Sequence, residues 1–223
     1  MGKRVLILLG GVVLIFAVLF LLYFALISVG GDGVKKWLEN SWEHFQILLI
    51  ENGPLLFLSI AILPGFVLPV APLLGFAGIW GGENGPILSC IYCTIALLTN
   101  LCWTYWLAKG PARNIIRNFL SKSRFQLPDS PPENMTEWAL ILRLTPGVPF
   151  IFTNYGLGLV RMNFVSYLLI SVPIISITAC GYVLAFAGLF GGEWKYLWSG
   201  GCIIAISVII GRLVIKKKRT HAN

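Results

Sequence analysis

The chain has 223 residues, of which 57% are hydrophobic and 12% charged, with a formal net charge of +8. A soluble domain carries roughly 25% charged residues, so this composition, with a mean hydropathy of +0.82, excludes an ordinary soluble fold and indicates one all-α integral membrane protein. The excess Lys and Arg lie mostly at the ends of apolar runs, which is the footprint of membrane topology and excludes nucleic acid as the partner.

Residues 1–4 are basic, and residues 5–29 follow without a charge. About 25 such residues span a bilayer with some tilt. They exceed the 7–15 residues of a signal-peptide core, so residues 1–31 read as an uncleaved N-terminal anchor. Residues 32–53 change character. Trp37, Leu38, Trp42, Phe45, Leu48 and Leu49 recur at helical spacings, with Lys35, Lys36, Glu39, Glu43 and Gln46 between them. This pattern predicts an amphipathic helix at the headgroup level.

Residues 54–80 are apolar but carry Pro64, Gly65, Pro69 and Pro72. Proline removes a backbone donor and clashes with the preceding turn, so a re-entrant pair of half-helices fits better than a through-going helix. Residues 86–107 then read as a true span. Residues 109–137 are polar; Arg113, Arg117 and Arg124 lie near helical spacing, which predicts a short interfacial helix before a proline-rich loop at 126–134.

Residues 138–160 form a second broken segment, with Arg143 inside the apolar run and Pro146, Gly147 and Pro149 just after it. A charged residue in such a segment marks a functional site. A proline-kinked span with a snorkelling arginine is the alternative. Residues 164–190 read as a span interrupted by Pro173 and Gly181, and residues 196–215 as the last span, closed by the basic residues 216–219.

Charge distribution arbitrates between these readings. If both broken segments turn back and the N-terminus is cytoplasmic, Lys3, Arg4, the basic residues from Lys109 to Arg124, Arg161 and those from Arg212 to Arg219 all share the cytoplasmic side. The opposite side receives Lys35, Lys36 and Lys195 with most of the acids. The parse has four full spans, two re-entrant segments and both termini in the cytoplasm. The segments would enter from opposite faces as an inverted repeat, and paired Gly/Pro-interrupted segments point to a transporter's binding site.

The residues Leu63-Pro-Gly with Leu74-Gly-Phe-Ala-Gly78, then Tyr105-Trp-Leu-Ala-Lys-Gly110, then Arg143-Leu-Thr-Pro-Gly-Val-Pro149 with Asn154, Gly158 and Met162-Asn-Phe164, occur in an order that resembles the DedA family, also called the VTT-domain or SNARE-associated Golgi protein family. The resemblance covers about residues 51–190. It implies a membrane domain at 54–190, two opposed re-entrant loops, and movement of lipids between leaflets, with residues 191–223 as a C-terminal span and basic tail. Relatives act as phospholipid scramblases or are linked to recycling of undecaprenyl phosphate and to proton-motive force. Phe66 stands where many bacterial members have an acid after the loop's Pro-Gly, which removes that carboxylate from a proton-coupling role.

The candidate substrate-binding residues are therefore Arg143, Pro146, Gly147, Pro149 and Asn154 in the second loop and Pro64, Gly65 and Pro69 in the first. Glu51 and Glu137 are candidates for proton coupling or for an ion pair with Arg143, and Thr145 and Thr153 can hydrogen-bond nearby. The expected partners are membrane lipids with anionic phosphate headgroups, and a homo-oligomer is compatible with the sequence; the expected location is the inner, or plasma, membrane. An enzyme is not expected: His44 and His221 lie outside the spans, and Ser59, Ser89, Ser171 and Ser176 have no evident base. No metal or cofactor is expected. Cys90-Ile-Tyr-Cys93 has metal-motif spacing but no second pair, so it reads with Cys102, Cys180 and Cys202 as inert buried thiols. A small-solute or ion carrier dependent on proton-motive force, and a non-transporting assembly factor, are the alternatives.

Overall fold

The structure is a computed structural model that describes residues 31–66, 68–121, 134–145 and 148–221. The predicted anchor at 5–29, Pro146 and Gly147, and almost all of the loop at 126–134 lie outside the described residues. The elements are α1 (Gly31–Glu51), α2 (Gly53–Ile62), a 3-10 turn (Leu63–Phe66), α3 (Val70–Asn84), α4 (Pro86–Lys109), α5 (Arg113–Ser121), α6 (Met135–Leu144), α7 (Phe150–Leu159), α8 (Phe164–Gly191) and α9 (Trp194–His221). The chain divides into two units, Met1–Leu48 and Leu49–Asn223. In the first, Lys35 pairs with Glu39 one turn on at 3.9 Å, and Trp37 and Trp42 are exposed, as the amphipathic pattern predicts.

In the second unit, α4, α8 and residues Trp194–Val214 of α9 are each long and apolar enough to cross a membrane. These match three of the four predicted spans. α8 departs from its prediction: it runs unbroken through Pro173. One missing donor is tolerated in a helix held by its neighbours, and Gly181 marks close packing rather than a break, its Cα facing Ile203 and Ile204 of α9. The basic tail also departs from a simple closing segment, since the α9 backbone stays helical to His221.

The chain doubles back between α2 and α3. A Cβ added to Gly53 would lie 2.9 Å from the Trp80 indole nitrogen, and Phe57 meets the same ring edge-on at 5.1 Å. In one continuous helix those 27 residues would span about 40 Å. The reversal has a local cause. Pro64 cannot continue the helical ladder, the chain tightens into the 3-10 turn, and Pro69 adopts an extended conformation (φ −66°, ψ 131°) from which α3 starts.

α4 and α8 are antiparallel neighbours. Tyr167 Oη donates to the Leu101 carbonyl at 3.2 Å, while Cys90 Sγ faces the Cys180 carbonyl at 4.0 Å. Leu56, Ile60, Leu74, Ala77, Cys93, Leu97 and Val183 form a core among α2, α3, α4 and α8. Between helices surrounded by hydrocarbon, apolar burial gives little net drive, and close packing and buried polar bonds decide which faces meet. The described buried polar residues are Ser89, Asn100, Thr104, Thr153, Asn154 and Ser171. Three of them, Thr153, Asn154 and Ser171, bond one side chain, and Asn100 bonds Asn154.

Candidate functional site

That side chain is Arg143, in the last turn of α6, where a helix C-terminus favours a cation. Its Nε–H donates to Ser171 Oγ on α8 at 3.1 Å. Its Nη1 donates to Thr153 Oγ1 and to Asn154 Oδ1 on α7, each at 2.7 Å. The guanidinium carbon lies 5.5 Å from the centre of the Tyr167 ring and 6.0 Å from that of Phe150, within cation–π range. Nη2 is buried and has no hydrogen-bond partner among the described residues.

Two of the residues expected near Arg143, Thr153 and Asn154, bond it directly, and Ser171 completes a set of two hydroxyls and an amide. Of the described ion pairs, Lys35–Glu39 and Lys195–Glu193, neither involves Arg143. Glu51 is exposed at the end of α1. Glu137 lies in the first turn of α6, where its N–H is capped by Asn134 Oδ1 at 3.1 Å. Neither carboxylate is a described partner of the guanidinium.

The polar chain continues away from the arginine. Asn154 Nδ2 donates to Asn100 Oδ1 on α4 at 3.1 Å, and Asn100 Nδ2 donates to the Ala61 carbonyl at 2.9 Å. Trp103 Nε1 donates to the same carbonyl at 2.8 Å. The last carbonyls of a helix lack intrahelical partners, and Pro64 aggravates this at the end of α2. Side chains of α4 thus cap the first broken segment while also fastening the second. Tyr155 of α7 adds a direct link, donating from its hydroxyl to the Gly65 carbonyl at 2.8 Å.

These contacts fix the relation of the two broken segments to α4. Ser89 near the start of α4 bonds the Ala77 carbonyl of α3, and the turn between α2 and α3 reaches Trp103 and Thr104. α7 runs parallel to α4: Asn154 meets Asn100, and a Cβ on Gly158 would lie 2.8 Å from the Tyr105 carbonyl. The first segment is therefore based at the start of α4 and the second at its end. A cavity of about 210 Å3 lies where they meet, lined in part by Val70, Leu74, Leu97, Arg143, Val148 and Thr153. Arg143 also borders a larger groove of about 530 Å3 on the side of α8 and α9.

The other candidate residues fall around this centre. Pro64 and Gly65 are buried in the 3-10 turn, whereas Pro69 and Pro149 are exposed and cap α3 and α7. Thr145 spends its hydroxyl on the Ile141 carbonyl at 2.6 Å. Asn100, Ser171, Trp103, Tyr155 and Tyr167 were missed as site residues. Asn100 had a usable signal, a lone amide in the apolar middle of a predicted span.

Basic residues collect at the end of α4. Burial, with Arg161 and Arg117 nearby, lowers the Arg113 guanidinium below its ordinary value. Arg161 has φ 57°. Its N–H bonds the Gly158 carbonyl, and the Met162 N–H bonds the Leu157 carbonyl. This is the paired helix-ending motif whose left-handed position usually holds glycine.

Among known families, the VTT domain matches residues 68–189 of the chain. No curated protein and no solved structure matches it.

Proposed function

The chain belongs to the VTT-domain family, and from that premise we propose that it moves a phosphate-bearing lipid, such as undecaprenyl phosphate or a glycerophospholipid, between the leaflets of a membrane. The carrying observation is Arg143: a cation held by neutral partners, with one buried donor unmet, where two broken helical segments meet. An unpaired arginine at bilayer depth costs about 3 kcal/mol on insertion scales. An anion that visits the site offsets that cost. Guanidinium presents a planar fork suited to phosphate oxygens.

We read the two broken segments as re-entrant hairpins entering from opposite faces, an inverted pair. The antiparallel packing of α2 on α3 and the opposed bases of the segments along α4 support this reading. Backbone that is broken at membrane depth is tolerated where it borders a cavity, which is how the headgroup would pass while its chains stay in hydrocarbon. Lys109, Arg113, Arg117 and Arg161 would face the cytoplasm of an inner-membrane protein and concentrate anionic lipid there, at about 1 kcal/mol per charge. No covalent step is needed, so the protein acts as a transporter rather than an enzyme.

Purified protein in liposomes tests the proposal. Labelled undecaprenyl phosphate or phospholipid should equilibrate between leaflets faster than in empty vesicles. Arg143→Ala should remove at least about tenfold of that rate, equivalent to about 1.4 kcal/mol. Arg143→Lys should not restore it, because a lysine loses the fork that engages Ser171, Thr153 and Asn154 together. Wild-type rates equal to those of empty vesicles would end the lipid-transport reading.

A further inference from the structure

α9 meets its neighbours closely at two glycines. A Cβ on Gly200 would lie 2.8 Å from the Ala185 Cα of α8, and Gly211 packs directly against the Leu144 carbonyl that ends α6. Eleven residues separate them, about 16 Å of helix. Between these contacts opens the groove of about 530 Å3, walled by Ile174, Ile177 and Tyr182 of α8 and Ile203, Ile206 and Ile210 of α9. From Ile174 to Tyr182 it follows α8 for about 12 Å, and Arg143 and Leu144 stand on its α6 side.

The polar side chains that line this groove are Arg143, Thr145, Thr178, Tyr182 and Ser207, and Arg143 is the charged one. Thr145, Thr178 and Ser207 each donate to a carbonyl of their own helix, at 2.6, 2.8 and 2.8 Å. Arg143 Nη2 has no hydrogen-bond partner among the described residues. One unmet cationic donor beside an apolar wall is complementary to one anionic group joined to a hydrocarbon chain. A free anion would leave the apolar wall unfilled. A neutral chain would leave the donor orphaned, which is costly for a buried group.

We propose that the groove between α8 and α9 seats one hydrocarbon chain of a phosphate-bearing membrane lipid whose headgroup engages Arg143. The proposal rests on the reading of Arg143 as a headgroup contact and adds a lateral seat for the chain. α9 lies beyond residues 68–189, so one wall of that seat comes from outside the matched domain.

The test uses the full chain in phosphatidylcholine vesicles containing a minor fraction of phosphatidic acid with a photoreactive diazirine in one acyl chain. Mapping of the cross-links should concentrate them on residues 174–182 and 203–210. A diacylglycerol carrying the same chain should label those residues about tenfold less, and so should phosphatidic acid on Ile206→Trp, which fills the groove. Free inorganic phosphate should not displace the label. Labelling spread evenly over exposed residues such as Leu169 and Trp198, equal labelling by diacylglycerol, or displacement by phosphate would each overturn the proposal. The transport reading fails separately. Protein that labels in the groove but moves no lipid keeps this seat and loses transport, whereas protein that transports with even labelling does the reverse.

Discussion

Pro69 and Pro149 stand at the same point of two broken segments, each extended (φ −66°, ψ 131° and φ −60°, ψ 140°) and each followed at once by a helix without a side-chain cap. Beyond that shared backbone the segments diverge. The first is uncharged. Its turn exposes Phe66 and Leu68, and its carbonyls at Ala61 and Gly65 accept bonds from α4 and α7. The second carries Arg143 with Thr153 and Asn154. One segment offers acceptors and the other a cation with its ligands, so together they make a site that neither makes alone. Donors and acceptors are aligned from the guanidinium through Asn154 and Asn100 to the first segment, an arrangement in which buried bonds reinforce one another.

This division of labour can be broken at graded cost. Beyond Arg143 itself, the largest effect is expected from Asn154→Leu. It leaves Asn100 Oδ1 unmet and removes one acceptor from Arg143 Nη1, which should destabilise the protein by about 2–3 kcal/mol. Thermal unfolding in detergent measures this, and lipid equilibration should fall with it. An unchanged transition temperature would mean that the two segments do not depend on this chain of bonds.

Tyr155→Phe is a smaller cut, since it deletes only the hydroxyl bonded to the Gly65 carbonyl and keeps the ring. It should cost about 1 kcal/mol and leave the arginine's own contacts intact. If transport drops much more than stability, the direct link between the segments matters to their motion rather than to their folding. Arg161→Gly should have the smallest effect, with the opposite sign. Glycine relieves the left-handed backbone and should stabilise by about 1 kcal/mol, while the loss of one surface charge lowers transport slightly. A large transport loss would move Arg161 from the lipid-gathering surface into the site.

Part of this was legible along the chain. Arg143 stood out because a charge in an apolar run needs no structure to be noticed. The break points followed from Pro64, Pro69 and Pro149, whose missing donors act locally. Pro173 obeyed the same chemistry with a different outcome: α3, α4 and α9 support α8 from several sides, and the helix continues. Of the partners of Arg143, Thr153 and Asn154 were legible because they lie close in sequence, and Ser171 was not. Ser171 and Asn100, which bonds Asn154, lie 28 and 43 residues from Arg143 in sequence, on different helices, and the candidate carboxylates Glu51 and Glu137 are not among its described partners.

The sequence by itself determined the apolar lengths and the places where helices cannot continue, because both depend on neighbouring residues and on proline's missing N–H. Only the tertiary structure decided that the arginine is wrapped by two hydroxyls and an amide from α7 and α8 together. That outcome depends on which faces of α4, α7 and α8 turn toward α6, and close packing at residues such as Gly158 sets those rotations.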